Sequence, residues 1–287
     1  MTLSCQPAAG ALGAYVEGFD FRRDYSPADV SELRTHIDAN KVVFLRAQEL
    51  SLDHLERLTD ALGGRDRTPF VRPLEDRPFV IRVVKEATDE LNFANAWHTD
   101  LSYLAAPPKY TLLQAWDVPA AGGDTVWSNQ ARAFATLSKG LQEALRGLNA
   151  VHSAGPAYGT GGYLESVAKK TSMAIDPSPD AYATQVHPIV VRHPETDEEI
   201  LYVNSTYTQR IDGWSATESA ALLAHLYRHA VHENLTCRVR WEQGMLAIWD
   251  NRSTQHNALN DYTGVRREMF RTSVRGTSPV PSRRAKQ

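Results

Sequence analysis

Apolar positions in this chain follow helical spacing near the start and strand spacing further on. Leu52, Leu55, Leu58 and Leu62 recur every three or four residues behind Ser51, and Gly63-Gly64 follows them. The pattern predicts a helix that begins at Ser51 and stops at the glycines. Ser26-Pro27 supplies an N-cap and a first-turn proline for an earlier helix running to about Ala39, with Asn40 as its stop. Between the two, Lys41 to Arg46 reads as a short buried strand. Downstream, strands are predicted at Phe79 to Val84, Tyr110 to Val118, Thr125 to Ser128, Val186 to Arg192, Ile200 to Asn204, Leu235 to Trp241, Met245 to Asp250 and Arg267 to Val274, between Gly, Pro or acidic turns. Thr217 to Glu233 is a long amphipathic helix placed outside them. About eight strands with long insertions fit a mainly β fold with flanking helices, a double-stranded β-helix of the jelly-roll kind. The leucines of the two early helices belong to its core.

Two stretches break the pattern. Residues 153–183, rich in Gly, Ser, Ala and Pro, show no clear period, and so long an irregular segment inside a compact domain is usually a lid or a binding loop. Residues 279–287 are basic and poor in apolar side chains, which predicts a frayed tail. No repeat or linker divides the remainder, so residues 1–287 are expected to form a single domain with a lid insertion.

Composition narrows the partners. The formal net charge of −3 gives no electrostatic reason to expect nucleic acid or an anionic membrane, so a small organic molecule is the expected partner, with a homo-oligomer as the expected assembly. Cys5 and Cys237 are far apart and suggest neither a disulfide framework nor a metal motif. No apolar run is long enough to span a bilayer and no secretory segment is recognised, so the cytoplasm is expected. On the long helix, His225, His229 and His232 share one face, but without a His-Glu-x-x-His motif they read as solvated surface.

The chemistry begins at Trp97-His98-Thr99-Asp100. In an extended segment His98 and Asp100 project to one face and can grip one metal ion together. A third ligand from far downstream, His256, would complete two imidazoles and one carboxylate on one side of the metal, the facial triad of non-haem Fe(II) oxygenases. By itself the pair is as readily a solvated His beside a surface Asp. After His256 comes Arg266 to Val274; if this is a strand, Arg267, Met269, Arg271 and Ser273 share one face, with the two arginines about 13 Å apart at 3.3 Å per residue. Two separated anions could be held along such a wall, although a solvated edge strand would also carry arginines.

With these residues in view, the chain resembles the Fe(II)/2-oxoglutarate dioxygenases of the taurine dioxygenase and phenoxyalkanoate dioxygenase family. The matching motifs are Lys41-Val42-Val43-Phe44-Leu45-Arg46, Trp97-His98-Thr99-Asp100, Pro107-Pro108, Gly122-Gly123-Asp124-Thr125, Tyr202-Val203-Asn204, Trp249-Asp250-Asn251-Arg252, His256, Asp261-Tyr262, Arg267 and Arg271. The resemblance implies that His98, Asp100 and His256 ligate Fe(II), that Arg267 and Thr125 bind the distal carboxylate of 2-oxoglutarate, and that Arg271 holds an anionic primary substrate. Leu101, Tyr103 and Leu104, with Tyr158, Tyr163 and Met173 of the lid, are expected to cover the rest of that substrate. Fe(II) is the implied cofactor, with 2-oxoglutarate and O2 as cosubstrates. The taurine enzyme uses a histidine upstream of the metal motif, yet no His lies between His54 and His98, so taurine is not expected. The segments around Val151, Tyr202 and Arg238 are closer to enzymes that cleave (R)-2-phenoxypropionate herbicides. Hydroxylation of a small anion such as an aryloxyalkanoate, with ether cleavage, is therefore the expected reaction. The alternatives are an alkyl sulfate or sulfonate dioxygenase, a tailoring hydroxylase or desaturase acting on a larger metabolite, and a non-catalytic binding module.

Overall fold

A computed structural model describes residues 3–49 and 51–282. Its largest sheet places the strands in the order Ser4–Pro7, Ala14–Glu17, Val42–Leu45, Leu246–Asp250, Tyr110–Asp117, Arg267–Val274 and Arg65–Asp66, with Ile81–Lys85 also pairing with Arg267–Val274. Every pairing is antiparallel except that of Ala14–Glu17 with Val42–Leu45. The central strands alternate with a period of two, yet both faces are buried. Val43, Leu45, Leu112, Leu246, Ile248, Phe270 and Val274 point to one core, while Val42, Phe44, Leu113, Ala247, Trp249 and Met269 point to another.

The first core lies beneath helices Pro27–Asn40 and Leu52–Leu62, whose Leu33, Ile37, Leu55 and Leu58 are fully buried. Both helices start as the sequence predicts. Ser26 and Ser51 cap their first turns, Ser26 in a reciprocal box with Asp29, and such a cap contributes about 0.5–2 kcal/mol. The second core lies between the large sheet and a three-stranded sheet of Thr236–Val239, Thr125–Asn129 and Thr254–Ala258, through Trp127, Cys237 and Val239. Another three-stranded sheet joins Thr208–Ile211, Asn149–Ser153 and Thr184–Pro188, and a further pair is Val190–Arg192 with Glu199–Leu201. The fold is thus mainly β with flanking helices.

The predicted strand Val186 to Arg192 is two strands in different sheets. Pro188 ends the first, and Ile189 crosses between them, its N–H donating to the Leu148 carbonyl. The outer helix spans Ala216–Ala230 and begins at Ser215, which forms a capping box with Glu218. On it, His229 is not simply solvated: its Nε2 lies 2.8 Å from the Ala133 carbonyl oxygen. The expected tail divides. Along Val190–Arg192, Arg192 N donates to Val280 O and Ser282 N to Val190 O, so residues 280–282 are held rather than frayed; 283–287 lie outside the described residues.

Candidate active site

The segment that carries His98 is fastened to the strand that carries His256. His98 N donates to His256 O at 3.1 Å, His256 N returns a bond to His98 O at 2.8 Å, and Thr99 Oγ1 donates to Thr254 O at 2.9 Å. Leu101, at φ 52°, then turns the chain immediately after Asp100. Ligand atoms of His98, Asp100 and His256 consequently fall within 4.8 Å of one another. Asp100 Oδ1 is 3.5 Å from His98 Nε2 and 3.8 Å from His256 Nε2. All three side chains are buried.

Their surroundings suit metal ligation. His98 Nδ1 lies 2.7 Å from the Ala96 carbonyl, which can only accept, so Nδ1 carries a proton and Nε2 is the atom left to ligate a metal. Asp100 Oδ2 accepts a bond from Thr111 Oγ1 at 2.8 Å, leaving Oδ1 toward the imidazoles. Burial raises the proton affinity of Asp100, but Arg271, whose Nη2 is 3.2 Å from Oδ1, and the two histidines outweigh it and hold the carboxyl well below its usual range. Burial, reinforced by His98, pushes the His256 imidazole well below its ordinary value. An ionised carboxylate and neutral imidazoles are the states that a divalent first-row metal requires.

Both arginines of Arg267–Val274 are buried on the inner face of the strand, as the alternation predicts. The bulge in its pairing with Tyr110–Asp117 adds Trp116 to the partner strand and leaves their common face intact. Among the described residues, Nε and Nη2 of Arg267 find no hydrogen-bond partner, and the same atoms of Arg271 find none either; the contact of Arg271 with Asp100 is an ion pair without a directed bond. A guanidinium desolvated with N–H groups unanswered is a place for an anion. Burial lowers the pKa of Arg267, partly offset by Tyr262 and Asp124, but a guanidinium remains charged.

Gly123 brings the start of Thr125–Asn129 against Arg267. Its φ is +69°, and a Cβ there would lie 3.2 Å from Arg267 Cδ and 3.0 Å from Tyr262 Cε1. Gly123 N donates to Asp261 Oδ1 at 2.8 Å, and Arg238 bridges Asp124 and Asp261. Thr125 Oγ1 accepts from Trp241 Nε1 at 3.0 Å, which leaves its own proton to donate.

A cleft is lined by His98, Asp100, Leu101 and Arg271 on one side and by Ala157, Tyr158, Tyr163 and Leu164 on the other. Part of the irregular 153–183 segment lines it, through the short helices Gly155–Tyr158 and Tyr163–Ser166. Met173 does not line it; this side chain is buried in the inner core, its sulfur accepting from Val84 N at 3.3 Å. Tyr103 stands outside the lining as well, packed against Tyr207 with ring centroids 4.8 Å apart, and Leu104 belongs to the same core. Arg267 and Thr125 are also absent from the lining. Asn95, Thr206 and Tyr207 were not anticipated; no local pattern marks them, because their loops meet only in the folded chain.

Asp38, His193 and Asp250 form a second close cluster, also within 4.8 Å. Arg252 lies 2.6 Å from Asp250 and 3.0 Å from Asp38, so a cation already neutralises it, and Tyr110 OH donates to Asp38 at 2.5 Å. This network anchors Leu246–Asp250 rather than offering a metal site.

The family profile described as "Taurine catabolism dioxygenase TauD, TfdA family" matches residues 4–273. The chain belongs to the TauD/TfdA family. It is 34% identical over 281 residues to an alpha-ketoglutarate-dependent sulfate ester dioxygenase of Pseudomonas putida, covering 98% of this chain and 92% of that one. It is 27% identical to the alpha-ketoglutarate-dependent 2,4-dichlorophenoxyacetate dioxygenase of Cupriavidus pinatubonensis, covering 96% and 98%. Among solved structures, a taurine dioxygenase from Burkholderia xenovorans superposes with a TM-score of 0.81 at 30% identity, covering 97% and 93%. TauD/TfdA enzymes use Fe(II), 2-oxoglutarate (alpha-ketoglutarate) and O2, and the His-Asp-His cluster here has the donor set for that metal. Among the described residues, no helix is long and apolar enough to cross a membrane.

Proposed function

We propose that this protein oxidises a small organic anion at a carbon bonded to oxygen, with a sulfate ester as the first substrate class and an aryloxyalkanoate as the second. The observation that carries the reading is Arg271: a buried cation with unanswered N–H groups, lining the cleft beside His98 and Asp100. In this reading His98 Nε2, Asp100 Oδ1 and His256 Nε2 hold Fe(II), and Arg267 with Thr125 holds the far carboxylate of 2-oxoglutarate. The iron, with 2-oxoglutarate and O2, supplies the oxidising power for a C–H bond.

The chain's own part is placement. Arg271 fixes the anion, while Leu101, Ala157, Leu164 and Tyr158 give the alkyl or aryl remainder apolar cover. A misplacement of about 1 Å at the reacting carbon costs on the order of a hundredfold in rate, so a fixed anion is worth more than raw affinity. Hydroxylation of a carbon that bears a sulfate or aryloxy oxygen yields a hemiacetal-like product. This breaks into a carbonyl compound and free sulfate or phenol, so hydroxylation and cleavage are one reaction.

The sulfate class comes first because the Pseudomonas putida relative is nearer than the dichlorophenoxyacetate enzyme, 34% against 27%. Tyr158, Tyr163 and Tyr207 around the cleft favour an aryl group and keep the second class. The same reading has the two facing sheets as a double-stranded β-helix, and the enzyme as a single-domain homo-oligomer of the cytoplasm, where its free Cys5 and Cys237 stay reduced. The test is a screen of succinate release against alkyl sulfates, aryloxyalkanoates, alkyl sulfonates, amino acids and the corresponding neutral alcohols. Alkyl sulfates should give the highest turnover. A neutral or cationic best substrate would remove the anion reading and leave the tailoring enzyme in its place.

A further inference from the structure

The metal-facing geometry of Asp100 is set by a chain of hydrogen bonds whose direction is fixed at its far end. Trp249 Nε1, a donor that cannot accept, gives its proton to Asn251 Oδ1 at 2.9 Å. That settles the orientation of the Asn251 amide, so Nδ2 is the atom that donates to Thr111 Oγ1 at 2.8 Å. With a lone pair engaged, the Thr111 hydroxyl turns its own proton to Asp100 Oδ2 at 2.8 Å. All four side chains are buried, and Thr111 and Trp249 are cross-strand partners in neighbouring strands. The Trp249 ring also packs on the His256 imidazole, with centroids 4.7 Å apart. One indole thus touches one candidate ligand directly and reaches another through two side chains.

We propose that Thr111 and Asn251 are positioning residues that hold Asp100 with a single oxygen toward the metal, and that Trp249 sets the sense of this relay. The proposal rests on the reading that His98, Asp100 and His256 bind the metal. A carboxylate oxygen that already accepts from Thr111 and is turned toward it is a poorer second ligand than Oδ1, so Asp100 is kept monodentate and the open face of the site stays open. Thr111 lies near the start of Tyr110–Asp117, ahead of Leu112, Leu113 and Ala115, and both bonds of its buried hydroxyl belong to this relay.

The experiment is Mn(II) binding to the purified protein, followed by loss of the free-ion electron paramagnetic resonance signal, with thermal unfolding recorded beside it. Thr111→Val keeps the shape and removes the donor; it should weaken Mn(II) binding on the order of tenfold to a hundredfold, as losses of outer hydrogen bonds to metal ligands do. Thr111→Ser should restore most of the affinity. Asn251→Ala should weaken binding in the native background and add little on top of Thr111→Val, because both act through one oxygen. Should Thr111→Val fail to fold, Thr111→Cys, with its weak donor, takes its place. Native affinity in the Val or Cys variant, or independent additive losses from the two positions, would overturn the relay. Equal Mn(II) binding by native protein and Asp100→Ala would instead overturn the ligand assignment, and the relay with it.

Discussion

Arg271 Nη2 stands 3.2 Å from Asp100 Oδ1, the carboxylate oxygen that also faces His98 and His256. The cation proposed to hold the substrate is therefore next to the proposed metal ligands, and an anion bound there would be brought to the reacting centre by the same contact. Arg271→Met should raise KM for the anionic substrate about tenfold to a hundredfold, the equivalent of losing a charge-assisted hydrogen bond of about 1.5–3 kcal/mol. The 2-oxoglutarate titration should stay nearly unchanged. Were 2-oxoglutarate binding weakened and the substrate's KM left alone, the two arginine roles would have to be exchanged.

Arg267 is the sharper case for geometry over charge. Its stem runs beneath Gly123 and its Nε and Nη2 are buried without a partner, so a planar fork is presented ready for a carboxylate. Arg267→Lys keeps the charge and loses the fork. The half-saturating concentration of 2-oxoglutarate should rise by roughly tenfold or more, from a loss of about 1.5–3 kcal/mol. An unaltered titration would put the cosubstrate elsewhere.

Asp100→Asn, His98→Ala and His256→Ala each remove one donor from the cluster. Succinate formation should fall to background in all three, and chelator treatment of the native protein should do the same until Fe(II) is returned. Melting should show a folded protein, since the Asn side chain keeps the shape and can still accept from Thr111. Turnover surviving in all three variants would sink the assignment.

The two inner-facing arginines were legible because Arg267–Val274 alternates in a way that shows its faces, Met269 to the inner core and Phe270 and Val274 beneath the helices. Ser26 and Ser51 announced their helices through capping chemistry that acts within four residues. Thr254–Ala258, the strand that carries His256, had no such signal: Thr254, Gln255 and Asn257 are polar, and Gln255 is buried only because it donates to Gln130 and Val203. The cleft was the least legible part. Tyr207 reaches it from a turn and Leu164 from the one-turn helix Tyr163–Ser166, brought together by tertiary contacts alone, and Met173, apolar and in the irregular segment, was taken up by the core instead.

A last prediction concerns acid stability. His152 is fully buried behind the site, its Nδ1 3.2 Å from Ser102 Oγ and its ring 5.4 Å from that of His187. Burial, and then His187, lower its pKa from the ordinary 6.5 to about 3. A histidine depressed in the folded state binds its proton first in the unfolded chain. Its contribution to stability is therefore complete above pH 6.5 and is lost as pH falls toward 3. The loss approaches about 1.4 kcal/mol per pH unit for one proton, so between pH 6.5 and 5 it amounts to roughly 2 kcal/mol. Burial lowers His187 in the same direction and adds to it. Urea unfolding of the native protein across this window should show a falling midpoint, and His152→Asn, which cannot titrate there, should reduce the slope by up to about one proton. A variant with the native slope would mean that His152 is already charged in the folded protein, and that its neighbours Ser102 and Thr208 stabilise an imidazolium rather than a neutral ring.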